Sequence, residues 1–148
     1  MSSLLITIHV IAAIALIGPV MVSTSMFPAR IAGAQDASHG GLGSLHTLAT
    51  ITKSYGMFSA LVPILGIGVF LSDLDYYGKQ GQFHASILLA IIAWALLLFV
   101  IVPRQQKVLE AIKGTATAFD FEKSRKQLAM FAGIFNLLWV ICAVLMFL

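Results

Sequence analysis

Residues 80–103 read QGQFHASILLAIIAWALLLFVIVP, with no Asp, Glu, Lys or Arg among them. A helix rises 1.5 Å per residue, so about 20 apolar residues in this form cross the hydrocarbon core of a bilayer. Working outward, residues 1–29, 54–72 and 127–148 also lack all four charged residue types. Each is long enough to cross, and together they predict an all-α, integral membrane four-helix up-and-down bundle in one domain, with spans at about 4–27, 54–72, 83–103 and 127–148. The whole composition agrees. Of 148 residues, 59% are hydrophobic and only 10% charged, with a mean hydropathy of +0.97, whereas a soluble domain carries roughly 25% charged residues. The first span is expected to be retained and not cleaved as a signal, since no basic residue precedes it and it exceeds the apolar core of a signal peptide.

Orientation follows from the basic residues, which stay on the cytoplasmic side during insertion. Arg30 and Lys53 flank the connection between spans 1 and 2, and Arg104, Lys107, Lys113, Lys123, Arg125 and Lys126 that between spans 3 and 4. The connection between spans 2 and 3 holds only Lys79, beside Asp73 and Asp75. Both termini are therefore expected to face away from the cytoplasm, in a bacterial inner membrane, and the basic inner rim is expected to attract anionic lipid headgroups. Val108, Leu109 and Ile112 keep helical spacing up to Gly114, so helix 3 is predicted to run on past the membrane. Gly33, Gly40, Gly41 and Gly43 mark a turn region, after which Ser44 is a candidate cap for a helix leading through His46 and Lys53 into span 2. Gly66 and Gly68, just after Pro63, predict a kink or close packing.

Lipid is as apolar as Leu, so spans associate through small residues and polar side chains. Ala12, Ala13, Ala15, Gly56, Ala60, Ala132 and Gly133 are candidate contacts, and Asn136, near mid-span, is expected to hydrogen-bond to a neighbouring helix. The lone Cys142 excludes an intramolecular disulfide and a multi-Cys metal cluster, and reads as a packing residue. An internal repeat is also visible. His9 precedes Pro28 by 19 residues and His84 precedes Pro103 by 19, while Lys53, Met57 and Phe58 correspond to Lys126, Met130 and Phe131. A duplicated hairpin would relate the halves by a pseudo-twofold along the membrane normal, although apolar segments also match by chance.

The opening LLITIHVIAAIALIGPV and the end of span 3, Val102-Pro103-Arg104-Gln105-Gln106-Lys107, resemble the small four-helix bacterial membrane family known as domain of unknown function 2269. That resemblance covers nearly the whole chain and implies the fold without a settled activity. A more distant similarity, carried by His9, is to the copper-resistance D and HemJ-type families, where a histidine of span 1 is associated with copper or haem.

The residues show no catalytic set: no Ser/His/Asp group, no paired carboxylates within a span and no acidic relay. The spans contain no ionisable groups of the kind that mark transporters, histidines aside. Met21, Met26, Met57 and Met130 are soft enough for Cu(I), but scattered Met more often fills packing gaps. The expectation is a non-catalytic accessory or structural subunit of a membrane complex or a homo-oligomer, without a cofactor. The alternative is a haem b-binding redox or haem-handling protein using His9 and His84. Nineteen residues correspond to about 28 Å of helix, placing both imidazoles at the outer rim of the core, the equal depth that two axial ligands need. His9 shares a stripe with Ala12, Ala13, Leu16 and Ser23. The stripe of His84 runs through Leu88, Ile91, Ala95 and Leu98, which suits lipid equally well.

Overall fold

The computed structural model describes residues 2–35, 41–114 and 119–148, and among these there is no strand. The elements are α1 (Ser2–Gln35), α2 (Gly41–Phe58), α3 (Leu61–Ser72), the single turn α4 (Leu74–Tyr77), α5 (Gly81–Leu96), a π-helical turn (Leu97–Ile101), α6 (Val102–Ile112) and α7 (Phe121–Phe147). They make four apolar rods, Ser3–Ile31, Leu42–Ser72, Gly81–Ile112 and Phe121–Phe147, each long enough to cross a membrane. Each rod packs against its chain neighbours, and the first against the last. The result is an all-α four-helix bundle of the kind membrane proteins use.

Proline shapes two rods. Pro63 has no N–H to offer the carbonyl of Ser59, and the helix breaks just before it, leaving Ser59 and Ala60 as a turn in which the Val62 N–H bonds the Ser59 carbonyl at 3.0 Å. Pro103 likewise follows the π-helical turn, where the Val102 N–H reaches back five residues to Leu97. Pro19 and Pro28 lie inside an uninterrupted α1, as spans tolerate when neighbours meet the freed carbonyls. Gly114, with φ +86°, takes the left-handed conformation open to glycine and ends α6.

Three local expectations are corrected. α2 starts at Gly41, and Thr47 already donates back to the Gly43 carbonyl at 2.9 Å, so Ser44 lies within the helix and caps nothing. Ala15 and Gly133 are exposed on the outer faces of their rods, and a Cβ on Gly133 would meet nothing within 4 Å. Neither is a helix contact, because helical phase turns them to lipid. His39 and Gly40 lie outside the described residues.

The core is concentrated toward the end of the bundle formed by the α1–α2 and α6–α7 connections. Phe27, Ile31, Leu45, Leu97, Ile101, Val108 and Leu128 are buried there. At the other end Ser86, Ala90 and Cys142 are the buried small residues, and the packing leaves space. Leu4, Ile11, Ile14, Val22, Leu88, Phe99 and Leu137 are exposed around the outside, as a lipid-facing surface requires.

Candidate functional site

The space lies beside His9. A cavity of about 440 Å³ is lined by residues of α1, α3, α4, α5 and α7, among them His9, Gly66, Phe70, Tyr77, Phe83 and Met146. α3 forms one wall, because Gly66 and Phe70 are one turn apart on the same face. Gly66 lets the imidazole in: a Cβ there would stand 3.1 Å from His9 Cε1, so the ring seats directly against the backbone of α3. The ring is buried, with its Nδ1 unpartnered, and it also meets the backbone of Val62. An unsatisfied buried ring nitrogen costs on the order of 1–3 kcal/mol.

An aromatic cluster closes the outer end. Tyr76 meets Tyr77 edge-on at 5.0 Å, and Tyr77 meets Phe83 at 4.8 Å. The turn that carries the tyrosines is started by Asp73, whose carboxylate accepts the Tyr76 N–H at 3.2 Å.

His84 packs on the same wall from another side. Its ring meets Phe70 edge-on at 4.9 Å, one turn beyond the glycine that seats His9, so the two imidazoles contact consecutive turns of α3. His84 is nevertheless exposed, its Nε2 is 3.1 Å from the Gly78 carbonyl, and it is not among the cavity-lining residues. Leu88 and Ile91, on its stripe, are exposed. The inward face of α5 is Ser86, Ala90 and Ala93. Phase explains this: residues at 86, 90 and 93 repeat at helical spacing toward the core, and position 84 falls off that stripe.

Four polar contacts tie rods together. Ser23 and Thr52 are 2.7 Å apart, joining α1 to α2. Each hydroxyl also lies within hydrogen-bond distance of a carbonyl of its own helix, Thr52 of Leu48 at 2.9 Å and Ser23 of Val20 at 3.2 Å, so the pair shares its hydrogens between the rod-to-rod bond and the two backbones. Trp94 Nε1 donates to the Gly56 carbonyl at 3.1 Å, joining α5 to α2. That carbonyl is available because the break at Ser59–Ala60 sends the Ala60 N–H to Met57 instead, at 3.4 Å. The Ser59 hydroxyl also donates to it, at 2.6 Å. Cys142 donates to the Ser86 carbonyl at 3.4 Å, joining α7 to α5. Asn136 Nδ2 donates to Ser25 Oγ at 2.7 Å, joining α7 to α1.

Of the methionines considered for copper, Met26, Met57 and Met130 are exposed on the outside of the bundle and do not point into a shared interior. No group of three His, Cys, Asp or Glu able to hold a metal occurs among the described residues. Gly66, read from the sequence as a point of kinking or close packing, is where the His9 ring packs closely, whereas Ser59, Trp94 and the two tyrosines of α4 escape a reading by residue type. Only the Pro63 break, legible as a kink, hinted at the freed carbonyl that Trp94 uses. No protein-family model, curated protein or solved structure matches the chain.

Proposed function

We propose that the chain is a non-catalytic accessory or structural subunit of a bacterial inner-membrane complex, with both termini facing away from the cytoplasm. One observation carries this reading: each of the four interfaces between adjacent rods has its own polar bond, Ser23–Thr52, Trp94–Gly56, Cys142–Ser86 and Asn136–Ser25. Span polar groups spent in this way brace helices and leave no file of titratable groups for transport. Orientation rests on the distribution of basic residues. Purification in a mild detergent tests the reading. A colourless preparation containing a second membrane protein in fixed stoichiometry is expected, whereas a chain that purifies alone under several mild detergents would overturn it.

A second reading, a haem b-binding or haem-handling protein, is favoured by the unpartnered Nδ1 of His9 beside an aromatic-lined cavity. His9 fits as a ligand of such a group. His84 does not fit as the opposite one while its Nε2 is held at Gly78 outside the cavity. Reduced visible spectra of the parent, His9→Ala and His84→Ala, expressed with ample haem, decide the matter. A Soret band lost in His9→Ala supports this reading, and a colourless parent or a band unchanged in both variants rejects it.

A further inference from the structure

We propose that a cleft between α6 and α7 binds the headgroup of a phospholipid carrying two negative charges; this deepens the expectation that anionic lipids surround the basic rim. The cleft, of about 390 Å³, is lined by Arg104 and Lys107 of α6, Lys123, Ser124 and Gln127 of α7, and Phe119 and Asp120 just before it. Three bases thus face one acid. α6 contributes to this convergence by burying Gln105, Val108 and Leu109, which leaves Arg104 and Lys107, three residues apart, together along one flank of the helix.

The cleft is ordered in advance for an anion. Arg104 is fixed by a hydrogen bond to the neutral side-chain oxygen of Gln127 and lies 5.0 Å from the centre of the Phe131 ring. Neither contact neutralises it, and the guanidinium keeps further N–H donors for a phosphate. Asp120 is engaged as the N-cap of α7, accepting the Lys123 N–H at 3.0 Å, and the positive end of that long helix dipole adds to the field.

Position selects a lipid over a soluble anion. Arg104 directly follows the charge-free stretch 80–103, and Gln127 opens the stretch 127–148, so the cleft stands at the edge of the hydrocarbon core, at the level of lipid phosphates. Below Gln127 on α7, Met130 and Ile134 are exposed and continue the same flank at helical spacing, offering a surface for acyl chains. Basic pockets between spans recognise such headgroups, each base adding to the attraction. Three bases against one acid match a headgroup with two charges better than one with a single charge.

The test uses the full chain in nanodiscs of phosphatidylcholine containing either 5 mol% cardiolipin or 10 mol% phosphatidylglycerol, equal in total charge. Native mass spectrometry then counts the lipids retained on release. Cardiolipin retained at least tenfold over phosphatidylglycerol is expected, with at least a tenfold loss in Lys107→Gln/Lys123→Gln and no change in Lys79→Gln at the opposite end. Circular dichroism verifies that the double variant keeps its helices. Asp120→Asn, which keeps a capping side chain, is expected to raise phosphatidylglycerol retention. Equal retention of the two lipids, retention unchanged in the double variant, or displacement by 10 mM inorganic phosphate, which would mark a soluble-anion site, overturns the proposal. No partner protein is needed, so this outcome is separate from that of the subunit reading.

Discussion

The two ends of the bundle solve the same packing problem differently. At the end where α1 meets α2 and α6 meets α7, helices run on beyond the apolar stretches and bury Phe27, Ile31, Leu45, Val108 and Leu109 together, with bases kept on the outer faces. At the opposite end a single turn, α4, joins α3 to α5, and small residues leave a cavity beside His9. The first end has long side chains of complementary phase to fill the space between rods. The second has a glycine opposite an imidazole, and a ring of aromatics that covers the gap without filling it. Stability is thus expected to reside toward the packed end, and ligand capacity toward the open one.

Glycine substitutions probe that comparison with the largest expected effect. A Cβ on Gly56 would stand 2.8 Å from Leu97 Cδ2, whereas one on Gly18 would meet nothing within 4 Å. Gly56→Val is expected to destabilise by about 1–3 kcal/mol through overpacking, and to weaken the Trp94 bond. Gly18→Ala should cost nothing, since Ala is the better helix former. Thermal unfolding in detergent compares them, and equal midpoints would show that rods 2 and 3 are not closely packed at Leu97.

Asn136→Leu removes the bond to Ser25 and is expected to lower stability by about 0.6–2 kcal/mol. A variant that melts at or above the parent temperature would show that lipid-side packing, not the amide, holds α7 to α1. Gln105 offers the opposite sign. It is buried at the packed end with both amide atoms unpartnered by protein, so Gln105→Met, similar in volume, is expected to stabilise by about 1 kcal/mol. A loss of stability instead would reveal a bound water or ligand that the amide serves.

Cysteine accessibility sharpens the comparison without changing stability. Lys79→Cys in the α4 connection and Lys113→Cys at the end of α6 are placed at opposite ends of the bundle. In intact cells a membrane-impermeant maleimide is expected to label the first and spare the second. The reverse pattern would invert the topology drawn from the basic residues.

Four charge-free stretches suffice to dictate four membrane-crossing helices, because an unpaired backbone in lipid leaves no alternative to helix at that length. Pro63 announced the break at Ser59–Ala60, whereas the π-helical turn before Pro103 was not legible, because Pro19 and Pro28 remove an N–H in the same way and leave α1 uninterrupted. Which way each side chain points is another matter. His9 and His84 are equivalent in spacing from a proline, yet one is buried against Gly66 and the other is exposed and held by Gly78. Their difference arises from helix phase and from what the neighbouring rod presents. The same holds for Asn136 with Ser25 and for Trp94 with Gly56, partners far apart in the chain. Hydrophobic length is a property of each segment alone and is therefore written in the sequence; polar pairing, cavity and cleft belong to the contact between segments, and only the packed tertiary structure decides them.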